Sequence, residues 1–279
     1  MKKLILNLVC VSLILLIISS CSKPSLPPDG KLIDVGGYKM YLNCKGSGNP
    51  TVVMEAGFND VSDTWALVQP EVAKITRTCV YDRAGLGLSE PGPEPRDSYL
   101  IINELKTLLE KADINGPYVL VGHSLGGMYM RLFIDQYPDE VVGLVLVDSA
   151  HIDDSQRSAS VLPTVGPNES ENLTSLREWL ANPPVFAEIP ERLFEPGSLG
   201  SLPLVVLSVP KQQRPDDLPV ELRDALDGIW VDLQNEWALI STQSTHIFVN
   251  DSSHFIQKDQ PEIVIDAILQ VVEEAKSGL

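Results

Sequence analysis

Short apolar runs recur along the chain and indicate buried strands. Several of them are rich in β-branched residues, and they cover positions 51–54, 78–81, 118–121, 141–147 and 204–207. Runs that are apolar on both faces are typical of a parallel sheet covered by helices. Residues 38–42 instead alternate between polar and apolar positions, which predicts a half-exposed antiparallel strand. A final short strand is predicted at 245–249.

Helical patterns lie between these strands, at positions 99–112, 125–137, 221–240 and 262–276. In the last of them the apolar residues recur on one helical face, and Pro261 suits its first turn. Alternation of strands and helices predicts a mostly parallel, doubly wound sheet with right-handed crossovers and helices on both faces. The core of this α/β fold is predicted to comprise residues 33–150 and 203–279.

The segment 151–202 interrupts this alternation. It is rich in proline and glycine, contains one good helical piece at 174–180 and has no strand-like run. An insertion of this size, placed after the sixth strand of such a sheet, is typical of a small helical cap over a site. The alternative is a long surface excursion with no role at the site.

The first twenty residues have the pattern of a secretory signal peptide. Lys2 and Lys3 precede an apolar stretch at 4–18, which is shorter than a membrane-spanning helix requires. The ending 18–21 resembles the lipobox of bacterial lipoproteins, which implies lipidation of Cys21, a tether over 21–32 and anchoring to a membrane outside the cytoplasm. The alternative is an ordinary cleaved signal peptide that happens to end beside a cysteine.

Composition narrows the classes of function. The formal net charge of −17 makes nucleic acid a poor partner, and 44% hydrophobic residues exclude a disordered chain. Four cysteines in 279 residues are too few for a disulfide-dense framework. Export would permit a bond between Cys44 and Cys79, but two small buried hydrophobic residues would have the same pattern.

The strongest chemical signal is G-x-S-x-G at 122–126, directly after a predicted strand and before a predicted helix. This context predicts a nucleophile elbow, a turn so sharp that Ser124 takes a strained backbone conformation. Side chains at Gly122 and Gly126 would collide with neighbouring backbone. The Ser124 hydroxyl would stand at a helix N-terminus, where developing negative charge is favoured.

From about residue 33 to the end, the chain resembles the α/β-hydrolase superfamily. Residues 55–58 look like its oxyanion loop with Ala-Gly in place of the usual His-Gly, and residues 82–89 look like its D-R-x-G-x-G-x-S turn, for which we expect a structural role. The resemblance implies a serine nucleophile at Ser124. It also implies an oxyanion hole formed by the backbone N–H groups of Leu125 and Phe58.

A serine needs a base, and four histidines are available. His254 lies in the loop between the last strand and the last helix, where the family keeps its base, and is our predicted base. His123 lies inside the elbow and is directed away from the hydroxyl, and His246 lies in a strand, where we expect a structural role. His151 opens the cap segment and could line a pocket.

The third member of the triad is less clearly marked. The commonest family position follows the strand at 204–207, but there the first carboxylates are the distant Asp216 and Asp217. Asp148 ends the preceding strand, at a position that some superfamily members use, at the sheet edge where ligands bind in open α/β folds. We predict Asp148 as the acid and keep Asp216 or Asp217 as the alternative, since triads are decided by geometry.

These residues predict hydrolysis of a small or medium carboxylic ester through an acyl-enzyme. Lactone, amide and prolyl-peptide cleavage use the same machinery, while serine at the elbow argues against the branches that need a carboxylate nucleophile. Neither an H-E-x-x-H motif nor a dinucleotide-binding G-x-G-x-x-G motif occurs, so we expect no metal and no cofactor. A binding lipoprotein without turnover is the alternative from another class, supported by the missing carboxylate after residue 207.

Overall fold

A computed structural model describes residues 26–166, 169–183 and 189–278. Within these ranges, eight strands form one sheet in the order β1-β2-β4-β3-β5-β6-β7-β8. In chain order they are β1 (Gly30–Asp34), β2 (Lys39–Lys45), β3 (Thr51–Glu55), β4 (Thr78–Tyr81), β5 (Tyr118–His123), β6 (Val141–Val147), β7 (Leu204–Ser208) and β8 (Ser244–Phe248). Strand β2 pairs antiparallel with β1 and β4, and the remaining pairs are parallel. The sheet confirms the predicted α/β-hydrolase fold.

One strand was not predicted. β1 forms the edge of the sheet, and its residues are mostly half-exposed or exposed. Its first residues, 30–32, belong to the stretch for which the sequence predicts a tether. Because the strand buries little apolar surface, its backbone pairing with β2 decides its conformation, and that pairing leaves no pattern in the sequence.

Helices cover both faces of the sheet, as predicted. They are α1 (Gln69–Val72), α2 (Ser98–Lys111), α3 (Leu125–Gln136), α4 (Asp154–Ser160), α5 (Glu171–Ala181), α6 (Val220–Leu239), α7 (Ile256–Asp259) and α8 (Pro261–Gly278). Leu120 of β5 packs in the apolar core with α2 and α3, whereas its neighbours Val119 and Val121 pack in a second core with α8. The central strands are therefore apolar on both sides because each side supports its own helical layer.

The chain between β6 and β7 carries α4, α5 and a 3-10 turn at Glu191–Phe194. Leu173 of α5 forms a separate apolar cluster with Leu222 and Leu226, which belong to the first half of α6. Leu193 of the 3-10 turn packs instead into the main core. The apolar cluster around Leu173 therefore does not coincide with the segment 151–202. It includes residues from the first half of α6, and it does not include Leu193.

Cys44 and Cys79 form a disulfide, which settles a pairing that the sequence left open. The two residues face each other in the antiparallel register of β2 and β4, with their Cα atoms 4.1 Å apart. The bond joins two cysteines that are 35 positions apart in the chain.

The predicted signal peptide at 1–20 and the lipidation site at Cys21 lie outside the described residues. Within the described ranges, no helix combines the length and apolar character that crossing a bilayer requires.

Candidate active site

The turn from β5 into α3 holds Ser124 in a strained conformation. Its φ of +51° and ψ of −124° are unusual for a residue with a side chain. The Ser124 N–H donates to the Val147 carbonyl at 3.1 Å, and the Ser124 carbonyl accepts from the Ala150 N–H at 3.0 Å. These bonds join the turn to the end of β6 on both sides of Asp148. The neighbouring strand therefore maintains the strain that the motif predicts.

Two glycines of the motif are required by close backbone contacts. A Cβ atom at Gly122 would lie 2.5 Å from the backbone of Gly127. A Cβ atom at Gly126 would lie 2.7 Å from the carbonyl oxygens of Glu55 and Ala56. Helix α3 can therefore begin close to both β5 and the loop after β3 only because neither position has a side chain.

Asp148 is fully buried at the end of β6 and has a φ of +43°. Its Oδ1 accepts hydrogen bonds from the Val209 N–H at 2.9 Å and the Trp230 Nε1–H at 3.0 Å. Its Oδ2 accepts from the Gln212 side-chain amide at 2.8 Å and contacts His254 Nδ1 at 2.6 Å. Four donors thus compensate the carboxylate for the loss of water.

The contact with Asp148 determines which nitrogen of His254 is basic. An ionised carboxylate only accepts hydrogen bonds, so Nδ1 must carry the proton. Nε2 is then the nitrogen with a free lone pair, as a general base at this position requires. The structure therefore brings the predicted acid and the predicted base together, although they are 106 positions apart in the chain.

Asp216 and Asp217, the alternative acids, lie elsewhere. The side chain of Asp216 is fully exposed and pairs with Arg223 at 3.2 Å. Asp217 accepts a hydrogen bond from the Asn172 side chain at 2.8 Å. The loop after β7 does contribute to the site, through Gln212 instead of a carboxylate. A glutamine beside a buried acid has no sequence signature, so this role was missed.

Ser124 and His254 line one cavity of about 280 Å³ beneath α5, together with Leu125 and Phe58. Within the described part of the chain, no hydrogen bond of 3.5 Å or less joins the Ser124 hydroxyl to His254. Catalytic hydrogen bonds are often long in unliganded enzymes and shorten when the substrate binds. The evidence that these two side chains lie near each other is therefore that both line the same cavity.

The predicted oxyanion residues flank Ser124. Leu125 occupies the first position of α3, where a backbone N–H has no acceptor within the helix. Phe58 follows Gly57, at which a Cβ atom would lie 3.2 Å from the Ser124 Cβ. Within the described ranges the Phe58 N–H has no hydrogen-bond partner. Both N–H groups are therefore available beside the serine.

A buried arginine holds the loop after β3 in place. The Arg83 guanidinium donates to the Ala56 carbonyl at 2.8 Å and to the Gly57 carbonyl at 2.5 Å, and it forms an ion pair with Glu55. Burial raises the pKa of Glu55 to about 7, against the opposing effect of Arg83. The sequence suggested only a structural turn at 82–89, and the contact of Arg83 with the oxyanion loop was missed.

The rest of that turn has the structural role that the sequence predicted. The buried Asp82 carboxylate accepts from the N–H groups of Ser62 and Leu88, both at 2.8 Å. The Ser89 hydroxyl donates to the Asp82 carbonyl at 2.6 Å. These bonds close the turn and keep Arg83 beside the loop after β3.

The other three histidines have separate environments. His123 is buried, and its Nε2 lies 2.9 Å from the His254 carbonyl, so this nitrogen must donate. Burial lowers the pKa of His123 to about 3. His246 in β8 bonds to the Ser208 hydroxyl at 2.6 Å. His151 lines the cavity, and burial lowers its pKa to about 4.

His151, Asp153 and Glu236 form a group whose potential metal-binding atoms lie within 4.8 Å of one another. Arg157 pairs with both carboxylates, at 2.9 Å to Asp153 and 2.6 Å to Glu236. A cation would have to displace this guanidinium, so the donor set does not favour a metal.

Comparisons with known proteins agree with this geometry. A family model described as "alpha/beta hydrolase fold" matches residues 50–195, which is more than half of the chain. The chain belongs to the α/β-hydrolase family. An uncharacterized Bacillus subtilis protein, YqjL, is 32% identical over 231 residues, covering 81% of this chain and 85% of that protein. An uncharacterized Schizosaccharomyces pombe protein is 24% identical over 91% of this chain. This chain spans only about half of that protein's length, 52%.

Solved structures of hydrolases share the fold. An esterase from Thermogutta terrifontis superposes with a TM-score of 0.62 at 22% identity, covering 88% of this chain and 98% of its own. A putative lipase from Acinetobacter baumannii gives 0.64 at 18% identity, with coverage of 90% and 92%. The epoxide hydrolase CorEH gives 0.61 at 18% identity, with coverage of 87% and 97%. At such low identities these superpositions show the α/β-hydrolase fold alone. They do not show which type of chemical bond this chain cleaves.

Replacing Arg83 by Gln should destabilise the protein strongly. Glu55 would remain buried without its counter-charge, and such a loss typically costs about 3–5 kcal/mol in the free energy of unfolding. The double variant Arg83→Gln/Glu55→Gln should lose less than the sum of the two single variants, because it leaves no unpaired charge. Urea unfolding followed by circular dichroism measures these differences.

The matched control is Arg192→Gln, since Arg192 pairs with Asp135 on the surface at 2.6 Å. Exposed pairs contribute little to stability, so the control should lose much less than Arg83→Gln. Equal losses in the two variants would contradict the account of Arg83.

Proposed function

We propose that this chain is a serine hydrolase that cleaves carboxylic esters through an acyl-enzyme on Ser124. The observation that carries the proposal is the 2.6 Å contact between buried Asp148 and His254, whose side chain lines the cavity that holds Ser124. A buried carboxylate that orients an imidazole beside a strained serine is the arrangement that serine hydrolases use. Membership of the α/β-hydrolase family supports it further.

The proposed reaction starts when the Ser124 oxygen attacks the substrate carbonyl carbon while His254 Nε2 accepts the hydroxyl proton. The resulting oxyanion is stabilised by the N–H groups of Leu125 and Phe58. Asp148 stabilises the imidazolium and stays ionised. His254 then gives its proton to the departing alcohol. Water, activated by the same imidazole, cleaves the acyl-enzyme and restores Ser124.

The shape of the cavity favours a small or medium ester. Its volume is about 280 Å³, and its lining includes the apolar side chains of Leu176, Trp179, Leu180, Leu226 and Trp230. Amide, prolyl-peptide and lactone cleavage remain alternatives on the same residues. The alternative of a binding protein without turnover rested on the missing carboxylate after β7. The contact between Asp148 and His254 removes that reason.

Asp148→Asn should lower kcat by about 10³–10⁴-fold, because an amide in place of the carboxylate favours the wrong His254 tautomer. Asp216→Asn removes the same charge from an exposed position and should leave kcat close to the wild-type value. Initial rates with p-nitrophenyl esters of graded chain length measure both effects. A larger loss in Asp216→Asn than in Asp148→Asn would overturn the assignment of the acid.

The same assay addresses the class of substrate. We expect the esters to be hydrolysed faster than a matched set of fluorogenic prolyl amides, and the optimum chain length should be short or medium. Faster cleavage of the amides would favour a peptidase. Absence of turnover on all of these compounds would favour a binding protein.

We also propose that the protein is a lipoprotein anchored through Cys21 on the outer side of a bacterial membrane. The basic start, the short apolar stretch and the lipobox-like ending at 18–21 support this. Cys21→Ser removes the thiol that would be acylated, so the variant should move from the membrane fraction to the soluble fraction. Quantitative immunoblotting of the two fractions measures this, and unchanged membrane association would contradict the anchor.

A further inference from the structure

The cavity that holds Ser124 and His254 also contains a second carboxylate, Asp154, at the start of α4. Its Oδ1 accepts a hydrogen bond from the Ser158 hydroxyl at 2.9 Å. Asp154 is half-buried, and within the described ranges its Oδ2 has no hydrogen-bond partner in the protein and no basic side chain lies within 4.0 Å of the carboxylate. The triad mechanism does not use this carboxylate.

Two basic side chains that line the cavity are paired or neutral. Arg214 lines the cavity, and its Nε donates to Asp227 at 2.9 Å. His151 is neutral near pH 7, because burial lowers its pKa to about 4, and its Nδ1 accepts from the Asp153 N–H at 3.2 Å. Among the described residues that line the cavity, Asp154 is the one carboxylate, and it forms no ion pair within 4.0 Å.

Burial raises the pKa of Asp154 above its ordinary value, against the opposing effects of the Ser158 hydrogen bond and the Arg214 charge. An ionised carboxylate with one unpaired oxygen gains from a positive charge placed beside it, since an opposite charge favours the ionised form. A ligand with a cationic group would supply that charge.

Two tryptophans of the cavity suit the same kind of ligand. Trp230 is held by its hydrogen bond to Asp148 at 3.0 Å. Trp179 of α5 contacts Phe58 edge-on, with ring centroids 5.5 Å apart. Tryptophan faces attract cations through the ring quadrupole and accept apolar groups equally well, so they bind alkylated ammonium groups favourably.

We propose that this cavity selects esters that carry a monovalent cationic group, with Asp154 as the counter-charge and Trp179 and Trp230 as aromatic walls. The inference rests on the proposed esterase function and specifies its substrate class. The formal net charge of −17 acts in the same direction, because a strongly acidic protein attracts cations and repels anions as they approach.

The test compares matched esters that have the same shape and differ in charge. Each kcat/KM is divided by the rate constant for hydrolysis of that ester by hydroxide, so that a difference in intrinsic reactivity is not counted as selectivity. In one pair the cation lies in the acyl part: the p-nitrophenyl ester of γ-(trimethylammonio)butyric acid and its isostere with carbon in place of the quaternary nitrogen. In the other pair the cation lies in the leaving group: acetylthiocholine is compared with the thioester in which a tert-butyl group replaces the trimethylammonium group. Two pairs are needed because either half of the ester could enter the cap side of the cavity.

In wild-type protein the cationic ester of at least one pair should have a kcat/KM about tenfold above its neutral isostere, which corresponds to about 1.4 kcal/mol. Asp154→Asn should bring this ratio close to one, with the neutral ester as the reference within each variant. Asp153→Asn is the matched control. It removes the same charge one position away, where the carboxylate is paired with Arg157, and it should keep the ratio.

A wild-type ratio near one in both pairs would overturn the inference, and so would a preference that survives in Asp154→Asn. The wild-type ratio alone decides the cation preference if the variant does not fold. Failure of the proposed function has a different signature. In that case the neutral esters would not be hydrolysed at all, or Ser124→Ala would hydrolyse them as fast as the wild-type protein.

Discussion

The architecture of the site depends on one buried carboxylate. Asp148 is removed from water at the end of β6, and a charge in that position is tolerated only because four hydrogen-bond donors surround it. Val209 and Gln212 follow β7, Trp230 belongs to α6, and His254 lies in the loop after β8. Since β6, β7 and β8 are neighbours in the sheet, their carboxyl ends converge on this charge.

A second constraint is the close packing of backbone around Ser124. The turn after β5 is strained. The loop after β3 passes so close to the start of α3 that position 126 has room only for glycine. Arg83 fixes this loop by binding two of its carbonyl oxygens. Ser124, His254 and the N–H groups of Leu125 and Phe58 are thereby held by separate elements around one cavity. Such rigidity in the supporting structure is what catalysis by preorganised groups requires.

Much of this could be predicted from local pattern. The apolar runs predicted the central strands, and the motif around Ser124 came with its own predicted strand and helix. The partners of Ser124 were expected from the resemblance to the α/β-hydrolase superfamily. The edge strand β1, the disulfide and the roles of Gln212, Trp230 and Arg83 depend on contacts between distant segments. Such contacts leave no periodicity in the sequence. Asp148 was predicted from its place at a strand end, and only the geometry separated it from Asp216.

The central claim is that Ser124 is made nucleophilic by His254. Its most direct test is to treat the protein with a fluorophosphonate, digest it and locate the adduct by mass spectrometry. We expect one modified peptide, containing Ser124, and modification slower by orders of magnitude in His254→Ala, since His254 is the base that we assign to Ser124. An adduct on a different residue, or equally fast modification without His254, would contradict it.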